Sequence, residues 1–225
     1  MVDVKREWPY LSGTLIFSSL VSVGLYAGGI TRGFGSTYTY LIGNLLLAWL
    51  PLLLARLLLR LLRHRPWSGW QGVAATVLWL VFLPNSFYIV TDYIHLQDVP
   101  DNEILYVAVM ITSFVLNGLI LGYISLYLMH TELRRRLNSL QTRLTLAAIL
   151  LACSFAIYLG RYLRWNTWDV VLDPAGVLFD VSNRLISPWS YPRMMLTTSV
   201  FFILLTSMYL VMYNVVRTLR MPPRP

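Results

Sequence analysis

Six stretches of this chain are apolar for about twenty residues each, the length an α-helix needs to cross the hydrocarbon core of a bilayer. They fall near 11–30, 38–58, 73–91, 104–129, 144–163 and 195–216. That pattern leaves little else for the chain to become. Charged residues make up 12% of it, about half the share of a soluble domain, which is roughly 25%. The expected fold is all-α: a polytopic membrane helix bundle of about six transmembrane helices, forming a single domain over residues 1–225. No separate soluble domain, internal repeat or low-complexity tract interrupts it. The tail Met221–Pro225 is expected to be disordered.

Lys5 and Arg6 precede the first apolar run in the manner of a secretion signal. The run is a full span long, however, and no small-x-small cleavage pattern follows it. It reads as an uncleaved first helix.

The net charge of +8 does not point to nucleic acid, because the arginines flank apolar segments and form no single basic face. Their distribution sets an orientation instead. With the N-terminus inside, thirteen of the 18 Lys and Arg lie on the inner side. The outer five are Arg32, Arg161, Arg164, Arg184 and Arg193. Retention of Lys and Arg on the cytoplasmic side then predicts both termini in the cytoplasm. Most acids, among them Asp92, Asp98, Asp169 and Asp180, fall on the outer side.

The fifth connection, about 164–193, is too long for a plain turn. Asp173-Pro174 has the form of a helix start, an N-cap followed by proline at the first helical position. Val177, Leu178, Val181, Leu185 and Ile186 then recur at helical spacing with Asp180, Asn183 and Arg184 between them. A short amphipathic helix lying at the outer interface is predicted. Trp165, Trp168 and Trp189 around it fit an aromatic belt.

Two polar signatures interrupt the apolar runs. In the third span Asn85, Tyr88, Asp92 and His95 stand at i, i+3, i+7 and i+10, one face of a helix. Pro84 just before them removes a backbone hydrogen bond and predicts a kink. A carboxylate at mid-bilayer costs about 2.5–3.5 kcal/mol on insertion scales, and Asp92 stands nearer the helix end, where the cost is smaller. The face is either a ligand-binding or catalytic surface or a set of interfacial and helix-bonding groups. Asp92-x-x-His95-x-x-Asp98 offers too few ligands for a metal, because His64 and His130 fall at the opposite ends of their spans. No metal and no cofactor is expected.

The second signature closes the fifth span. Arg161 and Arg164 are three apart and share a helical face with Trp165 and Trp168, and Asp169 follows. Two arginines on the outer side run against the charge bias, so something must retain them. The partners open to them are Asp92 or the acid-rich third connection, an anionic ligand or lipid headgroup suited to the guanidinium fork, or phosphates of the surrounding leaflet.

The remaining polar and small residues read as packing. Gly24/Gly28 and Gly118/Gly122 fit close helix approach. Asn44, Asn117 and Asn214 fit bonds to neighbouring helices. His130, Glu132 and Arg134–Arg136 read as the solvated inner end of the fourth span. Cys153 reads as a small core residue. The glycines from Gly28 to Gly35 follow a helix and not a strand, so they do not form a phosphate loop.

Together, Trp79–Asn85 running into Thr91–Leu96, and Gly160–Asp169, make the chain resemble a bacterial membrane-protein family catalogued as domain of unknown function 1361. The likeness runs from the second span to the sixth. It implies a multi-spanning bacterial membrane protein and supplies no functional residue; the expected location is a bacterial cytoplasmic membrane.

Three functional classes stay open: a polar site for an anionic or lipid-headgroup ligand, an interhelical ion-pair network with a structural role, and a small-solute transporter, with enzymatic chemistry unassigned. The candidate residues are Asn85, Tyr88, Asp92, His95, Arg161, Arg164, Trp165 and Asp169. The partners expected are the bilayer and an anionic headgroup or small anion, with no nucleic acid. The orientation is directly testable. In a Cys153→Ser background, Ser190→Cys should react with a membrane-impermeant maleimide added outside intact cells. Ser139→Cys should react only after permeabilisation, and the reverse pattern overturns the orientation.

Overall fold

The computed structural model describes residues 4–34 and 37–219. The expected disorder of Met221–Pro225 lies outside them, as does Gly35 of the glycine run. The described chain is helical throughout, without strands. Six helices are long and apolar enough to cross a membrane. They are α1 (Val4–Gly29), α2 (Tyr40–Leu61), α3 (Trp70–Tyr88), α4 (Ile104–Leu133), α5 (Ser139–Tyr162) and α8 (Pro192–Leu219), with two short helices, α6 (Asp169–Leu172) and α7 (Pro174–Ile186), between the last two.

Helix α4 is the hub. It packs against α1, α2, α3 and α8, while α2 also lies along α3, and α5 pairs with α8 and α3. Many of its residues are buried, among them Met110, Ile111, Phe114, Leu121 and Leu126. With lipid tails as apolar as leucine, such helices gain from close fit and interhelical hydrogen bonds rather than from leaving water. Both devices are present. A methyl group on Gly118 would fall 2.5 Å from Ile89 Cγ2 and 2.8 Å from the Ser86 carbonyl, and one on Gly122 would fall 2.8 Å from Phe87 Cε1 and from Ser86 Cβ. Only glycine lets α4 come this near to α3. The other pair divides: Gly28 faces the Tyr106 hydroxyl closely, but Gly24 has open space before it, so it makes no close approach.

Hydrogen bonds tie the same helices. Trp79 donates to Ser125 Oγ (2.8 Å), which donates to the Pro51 carbonyl (2.9 Å), linking α3, α4 and α2. Ser86 Oγ donates to the Ala48 carbonyl at 2.9 Å. Asn117 reaches Ser22 Oγ on α1 at 2.9 Å, as its type suggests. Asn214 does not follow the expectation, because α8 is peripheral and the residue is exposed.

The end of the bundle holding the N-terminus of α4 is closed by an Arg32–Glu103 pair at 3.0 Å. At the other end α4 runs one turn past the predicted limit, to Leu133. His130 and Glu132 are therefore buried and not solvated. His130 Nδ1 meets the Tyr209 hydroxyl at 2.6 Å, and Glu132 takes both Arg135 and Arg136. The sequence reading failed here because Tyr209 and Tyr213 of α8 cover His130, and Arg135 and Arg136 close on Glu132. Cys153 is buried in the core, as expected.

Gly122→Ala should lower stability by about 1–3 kcal/mol, the usual cost of overpacking, whereas Gly24→Ala should leave it unchanged. Thermal unfolding of the two variants in one detergent checks the contrast.

Candidate functional site

Helix α3 continues through Pro84 to Tyr88, and the chain then tightens into a 3-10 helix over Ile89–Asp98. A 3-10 helix has three residues per turn, so Ile89, Asp92, His95 and Asp98 follow one stripe. Ile89 seats against Gly118, as described above, and Asp92 is 2% exposed. Its carboxylate Oδ2 accepts a 2.9 Å hydrogen bond from Asn44 Nδ2 on α2. The Tyr40 ring lies 4.9 Å from the His95 ring, centre to centre.

Helix α5 ends at Tyr162, earlier than a shared face for both arginines requires. Arg164 stands in the left-handed region at φ 61°. The Leu159 carbonyl accepts from both Leu163 N–H (3.1 Å) and Trp165 N–H (3.3 Å), closing the turn. Arg161 therefore remains on the helix, while Arg164 is carried round the turn and is exposed. The three-residue spacing that grouped them holds only while the helix lasts. Asp169 serves the local fold too, its Oδ2 taking the Asn166 N–H at 2.6 Å.

The two polar signatures meet directly. Asn85 Nδ2 donates to Thr167 Oγ1 at 2.9 Å, and Thr167 Oγ1 lies 3.2 Å from Asn85 Oδ1. A methyl group on Gly160 would fall 2.9 Å from Tyr88 Cε2, so α5 rests against the Tyr88 ring at this level. Between these contacts lies a cavity of about 390 Å³. Its walls include Tyr40 and Asn44 from α2, Asn85 and Tyr88 from α3, Asp92 and His95 from the 3-10 helix, Arg161 from α5, and Trp165–Trp168 from the following loop. Neither Arg164 nor Asp169 lines it.

Arg161 is within electrostatic reach of Asp92, His95 and Tyr40. Among the described residues it makes no ion pair within 4.0 Å, and neither does Asp92. The Tyr40 hydroxyl is buried and has no hydrogen-bond partner among the described residues. The cavity thus holds one guanidinium and one carboxylate that face the same space and do not close on each other, with the His95 ring beside them.

Helix α7 braces the rim. Asp173 caps it by accepting the Gly176 N–H at 3.0 Å. Trp165 Nε1 donates to Asp180 Oδ2 at 2.7 Å, and Arg184 holds Asp180 Oδ1 at 2.8 Å. Burial opposes the Arg184 charge, but bonds to Tyr158 and Asp180 more than offset it and lift its pKa above the ordinary value. The polar face of α7 thus turns into the protein. Leu178, Phe179, Leu185 and Ile186 stand exposed on the opposite face.

Sequence reasoning placed Asn44 as a helix-bonding residue and did not place Tyr40 at all. The usable signal was spacing: Tyr40, Asn44 and Leu47 share one face of α2, and all three line the cavity. Thr167 carried no such signal, because it lies on an irregular loop.

The model of the family described as "Protein of unknown function (DUF1361)" matches residues 44–211, and the chain belongs to that family. The match spans every cavity-lining residue except Tyr40. Neither curated proteins nor solved structures give a match.

The turn at Arg164 yields a prediction of its own. A left-handed conformation costs a residue with a Cβ roughly 1–2 kcal/mol. Arg164→Gly should raise the thermal midpoint in detergent, and Arg164→Ala should not.

Proposed function

We propose that this family member binds an anionic, phosphate-bearing group in the cavity between α2, α3 and α5, with Arg161 as the charge that holds it. The supporting observation is that Arg161 shares a cavity of about 390 Å³ with Asp92 and His95, yet no carboxylate lies within 4.0 Å of it among the described residues. A guanidinium in an apolar bundle calls for a partner, and its planar fork suits phosphate oxygens. A cavity of this size falls in the range of small-ligand sites, roughly 300–1,000 Å³. The rival, a structural ion pair between Arg161 and Asp92, lacks the contact it needs.

The proposed setting is a bacterial cytoplasmic membrane with both termini inside. Arg161 stands in the last turn of a spanning helix, so the cavity would open near the outer headgroups. A lipid headgroup is then the nearest source of phosphate.

Delipidated protein in detergent, titrated with phosphatidylglycerol and read by native mass spectrometry, tests the reading. A hydrogen bond to a charged group is worth about 1.5–3 kcal/mol. Arg161→Gln should therefore weaken binding by about tenfold or more, while Arg164→Gln binds as the parent does. Equal binding by Arg161→Gln overturns the proposal. Failure of Arg161→Gln to fold, with Arg164→Gln intact, favours the structural role.

A further inference from the structure

Opposite charges in a medium of low dielectric attract strongly. Arg161 and Asp92 line one cavity without closing to 4.0 Å, and the fold holds them in place. Asn44 ties the Asp92 carboxylate to α2. Gly160 against Tyr88, and Thr167 against Asn85, set the end of α5 beside α3. Space is kept between the two charges.

A ligand of one sign fits this arrangement poorly. A simple anion on Arg161 would leave Asp92, 2% exposed, without a counter-charge, and a simple cation on Asp92 would do the same to Arg161. Leaving one buried charge unpaired is the costly outcome. A ligand carrying both signs, joined by a short linker, pairs each and leaves the cavity neutral.

Hydrogen bonding narrows the cation. Asn44 supplies the one hydrogen bond that the Asp92 carboxylate receives among the described residues, so an N–H donor has an oxygen to take. The Tyr40 hydroxyl is likewise unpartnered. A primary ammonium carries three donors, whereas a quaternary ammonium carries none.

We propose that the cavity takes a zwitterion, with a phosphodiester on Arg161 and a primary ammonium on Asp92, the chemistry of an ethanolamine phosphodiester. This rests on the reading that Arg161 holds a phosphate, and it adds a role for Asp92. The chemistry is shared by an aminophospholipid headgroup and by its soluble, deacylated form.

The test is native mass spectrometry of the delipidated full chain with phosphatidylethanolamine, phosphatidylcholine and phosphatidylglycerol of identical acyl chains. The parent protein should bind phosphatidylethanolamine about tenfold more tightly than either of the others. Asp92→Asn should remove that preference by weakening phosphatidylethanolamine alone, and Arg161→Gln should weaken all three. Should Asp92→Asn not fold, the ranking by the parent protein decides. Equal or tighter binding of phosphatidylglycerol, still dependent on Arg161, overturns the zwitterion and leaves the phosphate reading standing. Loss of Arg161 dependence for every lipid removes both. Glycerophosphoethanolamine added as competitor identifies the source. Displacement at matched concentration supports a soluble ligand, and displacement only by the acylated form supports a membrane lipid.

Discussion

How closely α3 lies against α4 governs the polar end of this bundle. Gly118 and Gly122 remove the side chains that would hold the two helices apart, and Ile89 and Phe87 fill the space. The chain leaves α-helical geometry at Ile89, where it meets Gly118. The tighter 3-10 winding then carries Asp92 inward, beneath Asn44 of α2. The wall of the cavity is therefore a consequence of helix packing several residues away. Its polar groups are held in place by apolar contacts.

The opposite wall is built by different means. Helix α5 stops at Tyr162, and the loop that follows is pinned by side-chain bonds. Thr167 clasps Asn85, and Trp165 is held through Asp180 by Arg184. The first two join a loop residue to a regular helix, and the Arg184–Asp180 pair, within α7, fixes the acceptor of the second. An irregular backbone at this depth is tolerated when protein or a polar cavity covers it, and both do so here.

Element identity was legible in the sequence because span length and hydropathy are properties of composition. The cap of α7 was legible as well, since Asp173-Pro174 is a local signal with a local cause. What escaped depends on neighbours distant in the chain. His130 looks solvated until α8 covers it, and Glu132 until Arg135 and Arg136 close on it. Arg164 looks like a companion of Arg161 until the helix ends between them, and no residue with a glycine-like preference marks that turn. Asn85, Tyr88, Asp92 and His95 share the cavity even though the backbone changes winding halfway along them. A 3-10 helix gains roughly 20° per residue on an α-helix, so His95 stands well round from its place on an unbroken α-helix, and the fold rather than the α spacing brings it to the cavity. Tyr40 and Asn44 complete the wall from another helix, and a single-segment pattern does not reveal such partners.

Helix α7 has its amphipathic sense turned inside out relative to a helix of a soluble protein. Asp180 and Arg184 bind it to the bundle, and Leu178, Phe179, Leu185 and Ile186 are left facing outward. Exposed to water, that face would be costly, and a bilayer whose hydrocarbon rose to its level would cover it. In such a bilayer the helix would act as a depth gauge beside the cavity. A bilayer too thin to reach it would have to thicken locally, or the chain would have to tilt, at a cost that grows with each ångström of mismatch. Through the Asp180–Trp165 bond of α7, the thickness of the host membrane would then be mechanically linked to the rim that Trp165 forms.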